Sequence, residues 1–261
     1  MAKVRNKDDE QDNPLHVLSV EKAFKVLTAF SQAQPKMTLT QLVAQTGMDK
    51  SSTQRFTHTL TALGYLSKDP ETKQFELALK VLELGYHYVA SSTLIQLAMP
   101  YLLHLSQVTE ETVNMTFLDG TDVVFVARLM GRNVLSLDTV VGSRLPAYCS
   151  ASGIAMLSKM PRKEAVAVLD RSDRRAITPA TVYKKEDLLK KLDLSAKRGY
   201  ATTFEEYFHG DLTIAAPILT HSGVPVAGVS VSVSRARYSP EEAESKFATQ
   251  VIACALSIRP R

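Results

Sequence analysis

The stretch Thr38-Leu39-Thr40-Gln41-Leu42-Val43-Ala44-Gln45-Thr46-Gly47-Met48-Asp49-Lys50-Ser51-Ser52-Thr53-Gln54-Arg55 decides the fold of the first part of the chain. Thr38 is placed to cap a helix over residues 39–46, because a threonine oxygen can accept a first-turn amide that the helix leaves unpaired. Leu39, Leu42 and Val43 form its apolar stripe, and Gly47 stands where a helix end takes the left-handed conformation, with Met48 as the apolar contact beyond it. Only residues 47–49 separate this helix from the next, at about residues 50–63, in which Phe56, Leu60 and Leu63 recur at helical spacing and are expected to face inward. Ser51, Ser52, Gln54, Arg55, His58 and Thr59 fall on its other faces.

Upstream, Val20, Ala23, Phe24, Leu27 and Phe30 share one face of a helix that carries Glu21, Lys22 and Lys25 on the other, which predicts a helix from about residue 18 ending near residues 32–35. Downstream of Gly64, Tyr65-Leu66 and Phe75-Glu76-Leu77 flank a charged segment with Asp69-Pro70 at its tip, the pattern of a hairpin. An amphipathic helix, a capped helix, a glycine turn, a polar-faced helix and a hairpin, in that order, predict a winged helix-turn-helix over residues 17–80. A three-helix interaction module that never meets nucleic acid is the plainer alternative.

A length of 261 residues favours two domains over one, and 45% hydrophobic with 22% charged residues is a globular balance that excludes collagen-like, mucin-like and low-complexity chains. Residues 1–16 read as a disordered tail. No apolar run approaches the ~18 residues of a membrane span, and the first ten residues lack the apolar core of a signal peptide, so a cytoplasmic protein without membrane contact is expected. Cys149 and Cys254 are too far apart for zinc-site spacing, and no two of the six histidines sit four residues apart, so neither a disulfide framework, a metal site nor a cofactor is expected. The formal charge of +4 allows an acidic partner without demanding one, and residues 13–80, with eight basic and five acidic side chains, are themselves positive.

Residues 77–89 are apolar on too many faces for a helix with one buried stripe. They read as a linker helix, over residues 81–95, that is either buried on two sides or mediates self-association. Leu94, Leu97, Tyr101, Leu105 and Val108 predict a further helix, kinked at Pro100. The period then changes to strands at 112–118 and 122–128 around Asp119-Gly120-Thr121, and at 134–140, followed by a loop over residues 142–146. Helices are expected from Ser152 to Leu157 and over 162–169 and 185–198, strands over 212–219 and 224–233, and a last helix opened by Ser239-Pro240-Glu241-Glu242. Residues 96–261 therefore form an α+β domain on a mostly antiparallel sheet.

On the polar-faced helix, Arg55 can donate two bonds to guanine, Gln54 can read adenine, and Ser51, Ser52 and His58 can reach phosphate or base edges, while Lys68 and Lys73 of the hairpin suit the DNA backbone. A solvated face is the plainer reading of each. In the second domain, Ala151-Ser152-Gly153 lacks the glycine two residues before the serine that a nucleophile elbow needs, and no histidine argues for a triad. Cys149 reads as a small packed residue, so an enzyme with a helical docking module is the runner-up. A ligand pocket fits better: Ser150, Ala151 and Ser152 precede a helix whose first-turn amides can hold a carboxylate. The last strand alternates Val229, Val231, Val233 with Ser230, Ser232, Ser234, so its hydroxyl face either lines that pocket or meets solvent.

The order of these elements, with Thr40-Gln41-Leu42-Val43-Ala44-Gln45-Thr46-Gly47, Lys50-Ser51-Ser52-Thr53-Gln54-Arg55, Leu63-Gly64-Tyr65-Leu66, residues 141–153, Arg198-Gly199-Tyr200, Glu205-Glu206 and Ile214-Ala215-Ala216-Pro217, resembles the IclR family of bacterial transcriptional regulators over residues 17–261. The resemblance implies a winged helix joined by a linker helix to a GAF-like effector domain, in dimers or tetramers that bind double-stranded operator DNA. It implies an effector site at Val134, Leu137, Leu145, Ala151, Ser152, Thr203, Asp211, Thr213, Ser230 and Ser232, suited to a small organic acid, aromatic or dicarboxylic. Residues 142–149 are most similar to regulators of aromatic-acid catabolism such as the protocatechuate and β-ketoadipate pathways. Thr53 and Thr57 stand where the family is commonly apolar, which implies looser packing there. Thr203-Phe204 and Asp211-Leu212-Thr213 also depart from the family pattern, which implies altered effector chemistry.

Overall fold

The computed structural model describes residues 15–132 and 139–260. Most of the tail, the greater part of the strand expected at 134–140, and the effector-site candidates Val134 and Leu137 lie outside the described residues. The chain divides into two compact units, one ending at Tyr88 and one beginning at Val89.

The first unit holds α1 (Leu18–Leu27), β1 (Lys36–Met37), α2 (Leu39–Thr46), α3 (Lys50–Ala62), β2 (Leu66–Lys68), β3 (Phe75–Leu77) and most of α4 (Val81–Ser91). Thr38 and Gln41 form a capping box at the start of α2, with Thr38 N donating to Gln41 Oε1 at 2.8 Å, and Gly47 closes it at φ 67°. Asp49 caps α3 by accepting the Ser52 amide at 2.8 Å. The three strands pair in the order β1-β3-β2, all antiparallel, and the hairpin tip is held by Asp69, which accepts the amides of Glu71 and Thr72.

Three expectations change. α1 stops at Leu27, where the Thr28 hydroxyl turns back onto the Phe24 carbonyl at 2.8 Å, and the chain then enters β1, a strand of two residues that carries no periodicity to read. Val26 is the buried side chain of α1, while Val20 and Phe24 are more than half exposed. In α3 the buried residues are Thr53, Thr57 and Leu60, with Leu63 exposed. The two threonines fit because their hydroxyls donate within the helix, to Asp49 O at 2.9 Å and Gln54 O at 3.0 Å, which satisfies the polar atom at a buried site.

The second unit adds α5 (Thr93–Thr109), β4 (Thr112–Asp119), β5 (Asp122–Leu129), β6 (Arg144–Pro146), a 3-10 turn at Ala147–Cys149, α6 (Ala151–Lys159), α7 (Arg162–Arg171), α8 (Lys185–Arg198), β7 (Ala201–Phe204), β8 (Asp211–Leu219), β9 (Pro225–Ser234) and α9 (Pro240–Ser257). One antiparallel sheet runs in the order β6-β5-β4-β9-β8-β7. Val113, Met115, Ile214, Val229, Val231 and Val233 point to one face and pack with α5 and α9, while Val123 and Ala215 join α6, α7 and α8 on the other. The strand period of two thus sends the Val229–Val233 side chains under α9 and the intervening serines toward α6.

β6 lies where a loop is expected, and β7 pairs with β8 at a place without a strand signal. α5 runs without interruption through Pro100, since a proline costs a helix one i to i−4 bond and neighbouring packing can hold the rest. Its buried side chains are Ile95, Ala98, Leu102, Leu105 and Thr109, whereas Leu97, Tyr101 and Val108 are exposed. Both α1 and α5 carry apolar residues on two faces, and sequence spacing alone was right only in part: Leu27, Phe30, Leu94 and Leu105 pack against or within a core, while Val20, Phe24, Leu97, Tyr101 and Val108 do not. Among the described residues no helix is long and apolar enough to cross a membrane, and no cluster of histidine, cysteine and carboxylate side chains could hold a metal.

Candidate functional site

In the first unit the α3 face opposite Thr53, Thr57 and Leu60 is polar and open. Ser51, Gln54, Arg55 and His58 are exposed and line one groove with Lys68 of the hairpin. Ser52, half-buried, and Arg55 border a second groove with Ser19 and Lys22 of α1. These last two residues were not among the sequence candidates, because α1 read as a core helix only. Lys73 is exposed at the hairpin tip, at φ 59°, and the Lys68 ammonium lies 5.1 Å from the centre of the Phe75 ring. The Asp49 carboxyl is held below the usual carboxylate range by the Ser52 amide, which fixes the first turn of α3. A capped helix with an open face of hydroxyl, amide, imidazole and guanidinium groups beside a basic hairpin is the geometry that enters a major groove.

In the second unit a cavity of about 270 Å³ opens where α6 begins. Eight of the ten sequence candidates line it: Leu145, Ala151, Ser152, Thr203, Asp211, Thr213, Ser230 and Ser232. The Ser150 oxygen accepts the Gly153 amide at 3.2 Å, and the first intrahelical bond runs from Ile154 to Ser150, which leaves the amides of Ala151 and Ser152 ahead of the helical ladder. Gly153 is required there, because a Cβ on it would lie 2.6 Å from Ser150 Oγ. Ser230 is buried and lines the cavity with Ser232, so that part of the serine face of β9 belongs to the cavity, whereas Ser234 does not line it.

Sequence reasoning missed the rest of the wall. Thr112, Asn114 and Arg128 come from β4 and β5, and Phe125, Tyr207, Phe208 and His209 add a ring-bearing side. Polar residues at every second position of β4, Thr112, Asn114 and Thr116 among Val113 and Met115, were a usable signal. The run Tyr207-Phe208-His209 lies in a loop, where no period exists to aim it.

The wall is bound together by side chains. Arg128 donates to Asn114 Oδ1 at 2.8 Å, Asn114 Nδ2 lies 3.5 Å from Ser232 Oγ, Ser232 and Thr213 hydroxyls are 2.8 Å apart, and Thr213 donates to Asp211 Oδ2 at 2.8 Å. Burial pushes the Asp211 carboxyl up to about 6, against the pull of the Thr213 hydroxyl and the Arg128 charge. Cys149, at the cavity edge, has its thiol pushed up to about 12, chiefly by burial and then by the nearby Glu206 charge, so it holds no thiolate for nucleophilic chemistry. Behind it Lys191 and Glu206 form a buried ion pair, with burial disfavouring the charged form of each.

Comparison with known proteins agrees with both halves. Residues 19–70 match the model of the IclR helix-turn-helix domain, and residues 86–259 match that of the bacterial transcriptional regulator IclR C-terminal domain. The chain is 32% identical over 236 residues to the Pca regulon regulatory protein of Pseudomonas putida, covering 90% of this chain and 80% of the relative. It is 28% identical to the p-hydroxybenzoate hydroxylase transcriptional activator of Acinetobacter baylyi, covering 87% and 84%. The crystal structure of a transcriptional regulator from Rhodococcus sp. RHA1 superimposes with a TM-score of 0.81 at 31% identity, covering 93% of this chain and 97% of that one. With a helix-turn-helix domain and a C-terminal domain that both match the family's models, and with relatives named as transcriptional regulators, the chain is a ligand-responsive DNA-binding regulator and belongs to the IclR family of bacterial transcriptional regulators.

Proposed function

We propose that this regulator holds operator DNA through Ser51, Ser52, Gln54, Arg55 and His58 of α3 with Lys68 and Lys73 of the wing, and alters that grip when a small organic acid enters the cavity at the start of α6. In this reading residues 17–80 bind DNA, 81–95 link, and 96–261 sense, all in the cytoplasm where the operator lies. The observation that carries it is the pairing of open Ala151 and Ser152 amides with a cavity of about 270 Å³ that is part ring-lined and part hydroxyl-lined. Amides at a helix start attract a carboxylate, and the volume, near the lower end of ligand pockets, suits a small metabolite. The likeness to regulators named for the Pca regulon and for p-hydroxybenzoate hydroxylase supports an aromatic acid.

The same reading makes the protein at least a dimer. Val17, Leu18, Val20 and Phe24 near α1 and Leu79, Leu82, Leu84, Tyr86 and Tyr88 near α4 are all more than half exposed, an apolar surface that a monomer would leave in water.

The test is titration calorimetry of the full chain with benzoates and short aliphatic acids, free and bound to DNA from around its own gene. The factor by which an acid changes operator affinity should equal the factor by which DNA changes the acid's affinity. An acid at 100 times its Kd should add about 2.7 kcal/mol to stability. Acids that bind without changing operator affinity, or that do not bind, overturn the proposal.

A further inference from the structure

Resting on the acid reading above, we infer that the buried Lys191–Glu206 pair and Thr181 are positioning residues for the effector cavity. They hold Tyr207, Phe208 and His209 in place from outside its lining, and so set which acids the cavity retains.

Tyr207, Phe208 and His209 line the cavity from the loop of residues 205–210 that joins β7 to β8. The base of this loop is closed on itself. The Glu205 amide donates to the Asp211 carbonyl at 2.7 Å, the Gly210 amide donates to Glu205 Oε1 at 2.9 Å, and Glu205 and Gly210 take φ values of 57° and 77°. These bonds fix the width of the loop. Its depth against the cavity is fixed by residues that do not line the cavity. From the connection between α7 and α8, the Thr178 hydroxyl donates to the Glu205 carbonyl at 2.6 Å and the Thr181 hydroxyl to the Glu206 carbonyl at 2.7 Å. The Val182 amide donates to Glu206 Oε2 at 3.4 Å, and Lys191 of α8 donates to Glu206 Oε1. Both carboxylate oxygens and the carbonyl of Glu206 are thus engaged by residues outside the cavity lining, and the next residue is Tyr207.

With side chains 7% and 16% exposed, Glu206 and Lys191 give up most of their hydration, so their attraction returns little net stability. What the pair adds is direction. An apolar contact tolerates sliding, whereas two desolvated charges must stay together because either one alone is strongly disfavoured. The loop is therefore tied to α8 at the residue before the rings, and Tyr207 and Phe208, edge to face with centroids 4.7 Å apart, follow as one unit. The Ala151 and Ser152 amides belong to α6 and share none of these bonds. The pair governs how the body of an acid is gripped and leaves the grip on its carboxylate unchanged.

The test compares the full-length parent with Lys191→Met/Glu206→Leu, which removes both charges, and with Thr181→Val and Thr181→Ser, which remove and keep the hydroxyl on the Glu206 carbonyl. Without ligand, amide hydrogen exchange in residues 205–210 of the double variant should speed about tenfold or more, with α9 unchanged. In calorimetry the parent should bind benzoate more tightly than propionate, the latter measured by its displacement of benzoate. The double variant and Thr181→Val should lose about tenfold or more in benzoate affinity and less than about threefold in propionate affinity, while Thr181→Ser keeps both. Equal losses for the two acids, or unchanged exchange at 205–210, would make the role of the pair purely structural and overturn the inference. A parent that binds propionate as tightly as benzoate also overturns it. Thr181→Val leaves the buried pair intact and decides where the double variant fails to fold. Acids that bind parent and variants alike overturn this inference alone, whereas failure of every benzoate and short aliphatic acid to bind the parent removes the acid reading and this inference with it.

Discussion

A Cβ on Gly228 would stand 2.7 Å from the Cβ of Ser152, so the first turn of α6 rests directly on the backbone of β9. The amides proposed to hold the effector are thus positioned by the absence of a side chain on a neighbouring strand. Gly228→Ala should cost about 1–3 kcal/mol through overpacking and weaken acid binding by shifting the start of α6. Thermal unfolding and calorimetry measure the two effects, and an unchanged variant would mean that the contact is slack. Ser152→Leu should also be destabilising, because the larger side chain starts from the same contact.

Arg55→Ala should lower specific operator affinity by about 1–3 kcal/mol at one fixed salt concentration, with circular dichroism unchanged, because Arg55 is exposed and holds no core contact. Equal gel-shift affinity for the two proteins removes Arg55 from the interface.

Asp211 gives the stability a pH dependence. Burial pushes its carboxyl up to about 6 from the ordinary 3.8, so between these limits the folded state binds more protons than the unfolded one. Its contribution is most favourable below pH ~4 and is lost as the pH rises through about 6. Asp211→Asn should therefore raise Tm relative to the parent at pH 8, and the advantage should fade toward pH 4. A Tm difference independent of pH would show that burial does not perturb this carboxylate.

The buried Lys191–Glu206 pair should respond asymmetrically. Lys191→Ala strands the Glu206 carboxylate and should cost about 3–5 kcal/mol in denaturant unfolding, whereas Lys191→Met with Glu206→Leu should be close to neutral, because it removes both desolvated charges at once. Two equally destabilised proteins would argue that the pair is not desolvated.

Sedimentation at micromolar concentration should find at least a dimer, and Leu82→Asp with Tyr86→Asp should dissociate it. The operator should hold two related half-sites about 34–36 Å apart or a multiple of that spacing. A stable monomer with full operator affinity contradicts both expectations.

The sequence by itself determined the helix-turn-helix, because its signals are local: the Thr38 cap, the left-handed Gly47 and the polar face of α3 each act within one or two turns. It determined the alternation of β9 and the capped start of α9 for the same reason, and the likeness to the IclR family located eight cavity residues. It did not determine which of two apolar faces α1 and α5 would bury, since Val20 and Val26, or Leu97 and Ala98, satisfy the helical period equally until a partner surface is chosen. Nor could it show β1, β6 and β7, which are two to four residues long and exist through pairing with distant strands. Only the tertiary structure brought Arg128, Asn114, Ser232, Thr213 and Asp211 onto one wall, because sheet order placed β4 between β5 and β9, strands far apart in the chain. The hydrogen bonds that join these five side chains are a property of that assembled wall and of no single segment.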